Sequence, residues 1–214
     1  MYLKMFLRVA IIFYNQIVYF KSMYDPRKVV GDFFEEKLRL LLNLNRYDDR
    51  GNGSVPDLIS KSNSFYMESK ASAFNKGGMI KEKQLLKFNE ERGIRRFYAF
   101  GYHSIVNGRL ARYKDEDRLR NSLDLRSLYI FPFSIVMAYY EHSKKIRAPN
   151  NGFYIQLREQ DARNIFSGKK RVWENLDLDI ADYKKRNLHP KIHLITREGH
   201  LEQEIINSFN PEFL

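Results

Sequence analysis

The sequence has no cysteine among its 214 residues. This absence excludes disulfides, zinc sites with cysteine ligands and thiol nucleophiles, so any catalysis must use carboxylates, lysine, histidine or hydroxyl groups. The histidines lack the spacing of metal ligands, and we assign none of them to catalysis; they are His103, His142, His189, His193 and His200. Internal repeats and low-complexity tracts are also missing, so one compact unit is the simplest expectation.

Long uncharged hydrophobic runs are missing as well. The opening 23 residues are rich in apolar side chains, but polar residues interrupt them at Lys4, Arg8, Asn15, Gln16 and Lys21. A membrane-spanning helix needs about 20 nearly uncharged residues, and no small-residue cleavage site of a signal peptide follows. We therefore predict a cytoplasmic protein with no membrane partner, whose first amphipathic helix packs on the core or on a second subunit. A helix lying on a membrane surface is the alternative.

Acidic residues are in the minority. Lys and Arg number 37 against 26 Asp and Glu, giving a formal net charge of +11. Such a charge favours a polyanionic partner, nucleic acid first, because lysines and arginines that neutralise phosphates release counterions. It is also compatible with a basic protein that is merely soluble. With 43% hydrophobic and 14% aromatic residues, the chain has enough core-forming side chains to fold.

Hydrophobic periodicity predicts an α/β fold. In the first half we expect a helix after Gly31, a strand near Val55 to Ile59, a turn, and a strand from Ser64 to Ala71. A helix over MIKEKQLLKFNEER and a strand over RRFYAFGYHSIV follow. The second half predicts a helix over 114–121, the strand LYIFPF, a helix capped by Ser134 and running to 145, a turn at 150–152, the strand FYIQL, a helix over 158–166 and the strand KIHLIT. Trp173 is predicted to be a core residue.

The chemically informative pattern is Pro56-Asp57, ten intervening residues, and Glu68-Ser69-Lys70. Phosphodiester hydrolysis needs a nucleophilic water and stabilisation of negative charge, and a hard divalent cation held by carboxylates supplies both. If the two strands pair as a hairpin, Asp57 and Glu68 lie about 5 Å apart. Because side chains alternate along a strand, Glu68 and Lys70 share one face, whereas Ser69 turns away and offers its backbone carbonyl.

This pattern resembles the PD-(D/E)xK nuclease superfamily over residues 31–105, and most resembles its type II restriction endonucleases. The resemblance implies a restriction-endonuclease-like core with a mixed central β-sheet flanked by helices, plus further C-terminal α/β elements. It implies Mg²⁺, with Mn²⁺ as a substitute, held by Asp57, Glu68, Ser69 and an acidic residue from the preceding helix. We choose Glu35 over Glu36 for that residue. Lys70 and Gln84, on the helix after the ExK strand, complete the predicted catalytic set.

The resemblance also implies contacts to double-stranded DNA and a division of the chain. Residues 1–30 are expected to pack or dimerise, 31–113 to form the catalytic core, and 114–214 to supply recognition and dimerisation elements of the same domain. We expect a homodimer, because cutting both strands of a palindromic site calls for two active sites. A cognate DNA methyltransferase is expected in the host, though not as a physical partner. The predicted DNA contacts are Lys76, Met79, Lys81, Lys83, Arg109, Arg112, Asn150 and Asn151.

Two alternatives stay open at this stage. Within the nuclease class, the chain would be a structure-selective enzyme for DNA junctions or repair. Outside that class, it would be a nucleic-acid-binding protein without catalysis. A restriction enzyme would give discrete fragments from long duplex DNA. A structure-selective nuclease would prefer branched DNA, and a binding protein would cut nothing with any metal.

Overall fold

A computed structural model describes residues 25–47, 56–73, 77–90, 93–106, 115–148 and 152–185, together with the backbone of 191–195. The predicted opening helix lies outside the described residues, as do the predicted DNA contacts Lys76, Arg109, Arg112, Asn150 and Asn151. In chain order, the elements are α1 (Pro26–Leu41), β1 (Asn45–Arg46), β2 (Leu58–Ile59), β3 (Phe65–Ala73), β4 (Gly78–Lys81), α2 (Glu82–Glu90), β5 (Arg95–Ile105), α3 (Glu116–Ser122), β6 (Leu123–Pro132), α4 (Phe133–His142), β7 (Ile146–Arg147), β8 (Phe153–Leu157), α5 (Glu159–Phe166), α6 (Lys170–Asn175), α7 (Ile180–Lys185) and β9 (Lys191–Ile195).

The fold is α/β, with a mixed six-stranded sheet flanked by helices. Its strand order is β1-β2-β3-β5-β6-β9, and β3 and β5 are its parallel neighbours, whereas the other pairs are antiparallel. The parallel pair is joined through β4 and α2, which is the crossover connection that parallel strands require. The predicted hairpin of β2 and β3 is confirmed, with Leu58 opposite Met67.

Helix α1 packs on one face of this sheet. It buries Phe34 and Leu38 in a cluster with the odd-numbered side chains of β3 and β5, such as Met67. The helix begins at Pro26, not after Gly31 as predicted, because Asp25 caps it by accepting a hydrogen bond from the Arg27 backbone N–H at 2.9 Å. Pro is favoured at the first helical position, since its missing N–H has no partner there in any case.

The opposite face of the sheet carries the larger core. Even-numbered side chains of β5, including Tyr98 and Phe100, pack there against residues of α2, α4, α5, α6 and α7. Trp173 of α6 is buried in this cluster and donates its indole N–H to the Ile165 carbonyl at 2.8 Å. Its predicted place in the core is confirmed.

A second, three-stranded antiparallel sheet has the order β4-β8-β7. Its first strand corrects the prediction of a continuous helix over MIKEKQLLKFNEER, because residues up to Lys81 are extended and α2 begins at Glu82. The strand is fixed by pairing with β8, in which Ile80 faces Ile155 and both are buried. Tertiary pairing has here overridden a local composition that favours helix.

The second half follows the prediction in outline. The structure confirms α3, β8, α5 and the strand at 191–195, whereas β6 begins at Leu123, earlier than predicted. Ser134 does not cap α4, which starts after Pro132 without a side-chain cap and ends at His142 rather than at 145. The short helices α6 and α7 were not predicted. Of the helices within the described ranges, none has the length and apolar character to cross a membrane.

Candidate active site

The β2–β3 hairpin brings the PD and ExK segments together. Asp57 immediately precedes β2, and its Oδ2 accepts two hydrogen bonds of 2.7 Å, one from the Ser69 backbone N–H and one from the Ser69 hydroxyl. The Asp57 carbonyl also accepts from the Tyr47 N–H at 3.0 Å. Ser69 therefore orients the Asp57 carboxylate by direct contact. The prediction that its side chain turns away from the site is wrong with respect to Asp57, because the carboxylate reaches the Ser69 hydroxyl.

Glu68 and Lys70 lie on the same face of β3, as the alternation of the strand predicted. The Lys70 ammonium donates to Glu68 Oε1 in an ion pair whose side chains are 13% and 1% exposed, respectively. The other carboxylate oxygen, Glu68 Oε2, is buried and has no hydrogen-bond partner within the described chain. A buried carboxylate oxygen without a partner is costly, so this atom is free to accept a ligand.

The pKa values at the site reflect burial and crowding of like charges. Burial raises the pKa of Glu68 to about 7, with the negative charges of Asp57 and Glu35 acting in the same direction and Lys70 opposing them. Burial acts to lower the pKa of Lys70, but the carboxylates of Glu68 and Asp57 together outweigh it and raise that pKa. Perturbed groups of this kind are characteristic of functional sites.

Glu35 stands at the margin of this group. It is half-buried on α1, and its Oε1 lies 3.1 Å from Arg46 Nε. Burial, followed by the charge of Asp57, raises the pKa of Glu35, with Arg46 opposing. Glu36 instead bonds Arg39 at 2.7 Å, which lowers its pKa. The charge of Asp57 affects the pKa of Glu35, whereas Glu36 forms an ion pair with Arg39. Of the two acids, Glu35 is therefore the one whose charge is coupled to Asp57.

Tyr98 is a site neighbour that the sequence did not reveal. It pairs with Glu68 across β3 and β5, which places both side chains on one face. Its hydroxyl is buried without a hydrogen-bond partner within the described chain, and burial together with the charges of Glu68 and Asp57 raises its pKa. Its position became evident only when the parallel register was known, because local alternation cannot say which strands are neighbours.

The remaining predicted residues take different places. Gln84 is half-buried on α2, and the structure records no hydrogen bond between it and the described site residues. Lys83 is exposed on the same helix. Met79 and Lys81 are exposed on β4, in the second sheet. These four residues follow the ExK strand in the sequence, and the structure records no hydrogen bond between them and Asp57, Glu68 or Lys70.

The carboxylates of the site offer few ligands to a magnesium ion. Within the described ranges, no three Asp, Glu or His side chains are close enough together to form a metal site by themselves. Mg²⁺, however, is commonly held by one or two carboxylates, with waters and substrate phosphate oxygens completing its shell. The unpartnered Glu68 Oε2, beside the Asp57 carboxylate, matches that smaller requirement.

Comparisons with known proteins give no match: no protein-family model fits the sequence, and neither a curated protein nor a solved structure resembles it significantly. The function of the chain must therefore be inferred from its own residues. The relevant features are the hairpin, the buried Glu68–Lys70 pair and the basic charge.

Proposed function

We propose that this chain is a Mg²⁺-dependent endonuclease of the PD-(D/E)xK type that cuts double-stranded DNA, most similar in its chemistry to type II restriction enzymes. The observation that carries the proposal is the buried Glu68–Lys70 pair beside Asp57, in which Glu68 Oε2 has no partner within the described chain. A structural ion pair normally satisfies its oxygens. A carboxylate left half-satisfied and with a pKa of about 7 is prepared to exchange a proton for a cation.

Asp57 and Glu68 would hold the ion together with the Ser69 carbonyl. The sequence also predicted Glu35 as a ligand, but no three acidic side chains of the described residues are close enough to bind one ion directly. When bound, Mg²⁺ supplies positive charge that stabilises the phosphorane and makes water more acidic, and Mn²⁺ would substitute for it. The two hydrogen bonds from Ser69 fix the orientation of the Asp57 carboxylate before any ligand arrives. Preorganisation of this kind reduces the rearrangement needed at the moment of reaction.

Lys70 contributes a fixed positive charge. Because the neighbouring carboxylates raise its pKa, its ammonium stays protonated at neutral pH. A protonated lysine cannot accept a proton from water, so we assign Lys70 to neutralising charge on the scissile phosphate and orienting the nucleophile by hydrogen bonding. Buried beside Glu68, it is held at a defined position and shielded from competing water.

The substrate class follows from charge and from the extent of the chain. The net charge of +11 favours a polyanion, and the second sheet adds structure beyond the elements that carry the carboxylates. A sequence-specific enzyme needs such additional surface, because phosphate contacts position a protein on DNA while base contacts specify the sequence. Cleavage of both strands of a palindromic site would require a homodimer.

The proposal is tested by incubating the purified protein with long duplex DNA, with Mg²⁺ or with chelator. The Lys70→Ala variant removes the buried ammonium. Lys170→Ala is the matched control, because Lys170 forms an ion pair with Glu174 at 3.6 Å on the surface, with the two side chains 89% and 59% exposed. We expect discrete Mg²⁺-dependent fragments from the wild type and from Lys170→Ala, and a loss of at least about a hundredfold in rate for Lys70→Ala.

Three other outcomes would contradict parts of the proposal. Cutting of branched DNA but not of linear duplex would identify a structure-selective nuclease. Undiminished cutting by Lys70→Ala would show that the active site lies elsewhere in the chain. Intact DNA of every form, with Mg²⁺ and with Mn²⁺, would leave a binding protein without catalysis.

A further inference from the structure

The three-stranded sheet has one face directed away from the core. Cross-strand partners share a face, and the register pairs Met79 with Gln156, Lys81 with Tyr154, and Tyr154 with Ile146. The alternate residues Ile80, Ile155 and Leu157 are buried in the large core. We call the solvent-directed set the outer face; it consists of Met79, Lys81, Ile146, Tyr154 and Gln156.

The outer face brings together strands that are far apart in the sequence. Met79 and Lys81, which the sequence marked as DNA contacts, follow the catalytic strand, whereas β8 begins at Phe153. The other predicted contacts of this region, Asn150 and Asn151, lie outside the described residues. The β7–β8 hairpin is closed by a bond of 2.7 Å from the Ala148 N–H to the Gly152 carbonyl. The fold thus places residues far apart in sequence on a single small surface.

This sheet is in contact with the candidate active site. A Cβ added at Gly78 would lie 3.3 Å from Lys70 Cβ and 2.6 Å from Phe100 Cδ1. The first residue of β4 therefore packs directly against Lys70, with no room for a side chain between them. Gly78 shares the inner face of β4 with Ile80, so the contact with Lys70 is made by the inner face, and the outer face lies on the other side of the same strand.

The strands of this sheet carry mainly positive charge. Residues 78–81, 143–148 and 152–158 contain no aspartate or glutamate, and the acids that directly follow two of these segments are already engaged: Glu82 accepts from the Tyr140 hydroxyl and Glu159 from the Ser127 hydroxyl. The exposed cations of these segments are Lys81, Lys144, Lys145, Arg147 and Arg158. Large apolar side chains of the outer face are also exposed, with Met79 and Ile146 each 40% accessible. Cations interleaved with exposed apolar and amide groups match a surface of phosphates and base edges.

We infer that the outer face is a surface that binds duplex DNA, an inference that rests on the proposed nuclease function. A β-ribbon fits the major groove of B-DNA, where glutamine can pair with adenine and apolar side chains contact the thymine methyl group. Lys81 and the flanking Lys144 contact phosphates, and Gln156 and Tyr154 face the bases. The partner is double-stranded DNA and not a second copy of the chain.

The test is a binding measurement without chemistry. Fluorescence anisotropy follows a labelled duplex of about 30 base pairs with randomised sequence, in chelator, at several salt concentrations. The variant Lys81→Ala/Lys144→Ala removes two cations from the region. The control Lys28→Ala/Arg118→Ala removes two exposed cations from α1 and α3, which pack together on the other side of the main sheet. Equal urea midpoints establish that both variants are folded.

We expect the Lys81/Lys144 variant to bind about tenfold or more weakly at 0.1 M salt, with the salt slope reduced by about 2, and the control to change less than about twofold. Equal effects of the two variants would overturn the inference. So would dissociation of an oligomer by Met79→Ser/Ile146→Ser in gel filtration without loss of DNA binding, because the face would then join two copies.

Measuring both DNA binding and DNA cutting distinguishes a failure of the binding surface from a failure of the proposed nuclease function. If the wild type cuts no DNA but the Lys81/Lys144 variant loses binding, the nuclease proposal fails and the binding surface stands. If the variant binds and cuts as the wild type does, the nuclease proposal stands and the binding surface fails.

Discussion

The pKa of Glu68 makes a quantitative prediction about stability. The group titrates near pH 4.5 when solvated and near pH 7 in the folded chain. Because the folded value is raised, the stabilising contribution of Glu68 is complete below pH 4.5 and is lost as pH rises towards 7. A difference of about 2.5 units corresponds to roughly 3 kcal/mol of unfolding free energy. The substitution Glu68→Gln isolates this contribution, because glutamine has nearly the same shape as glutamate and cannot ionise.

The measured quantity is the difference in unfolding free energy between the wild type and Glu68→Gln, from urea denaturation in chelator at pH 4.5, 6 and 8. We expect the difference to move by about 3 kcal/mol in favour of the variant between pH 4.5 and 8. Burial lowers the pKa of His103 to about 4, which gives the opposite slope over part of this range. His103 is present in both proteins, so its contribution cancels in the difference.

A matched control and a ligand sharpen the experiment. Glu174→Gln changes an exposed carboxylate on α6 and should shift stability by less than about 0.5 kcal/mol at every pH. At pH 8, Mg²⁺ should stabilise the wild type and not Glu68→Gln, since the cation takes the place of the missing proton. A difference that stays constant with pH, or that moves towards the wild type at high pH, would refute the reasoning.

Three further predictions follow from individual contacts. His103 is buried and neither ring nitrogen has a well-formed hydrogen bond, so its own contribution to the unfolding free energy should fall by up to about 3 kcal/mol as pH drops from 6.5 to 4, opposite in direction to that of Glu68. Urea titrations should show this as a difference between wild type and His103→Gln that shifts in favour of the variant towards pH 4. Ser69→Ala should cost about 1 kcal/mol in urea denaturation and lower the cleavage rate less than Asp57→Ala does, because the Ser69 backbone N–H still bonds the carboxylate; an equal loss would contradict this. Gly101→Ala should destabilise by about 1–3 kcal/mol, because its Cβ would lie 2.2 Å from a side chain of α1, whereas Gly31→Ala, with open space around it, should stabilise by about 0.5–1 kcal/mol in thermal unfolding. A stabilising Gly101→Ala or a destabilising Gly31→Ala would be inconsistent with the packing described.

Local sequence was sufficient for the hairpin and for the shared face of Glu68 and Lys70, because alternation and turn composition act over a few residues. It did not predict β4, whose extended form depends on pairing with β8 from far along the chain. Nor did it place Tyr98 beside Glu68, since the parallel register is a property of the assembled sheet. The start of α1 was predictable: Asp25-Pro26 is a clear helix-start signal, and Gly31 was given too much weight.

The proposed catalytic centre and the proposed binding surface lie in different parts of the molecule. The catalytic proposal rests on a few buried contacts within β2, β3 and β5. The binding surface rests on charge and exposure in the second sheet. Because the two are adjacent but chemically distinct, substitutions can weaken DNA binding without changing the titration of Glu68.

The shortness of strand β1 has a consequence for self-association. Strand β1, at the margin of the six-stranded sheet, pairs through two residues, Asn45 and Arg46, and the second of them carries a charge that binds Glu35. Long, flat edges recruit foreign strands and lead to aggregation, whereas short and charged edges discourage such pairing. At β1 another chain would find too few free backbone groups to extend the sheet. Assembly of two copies through a continuous intermolecular sheet at this edge is therefore disfavoured.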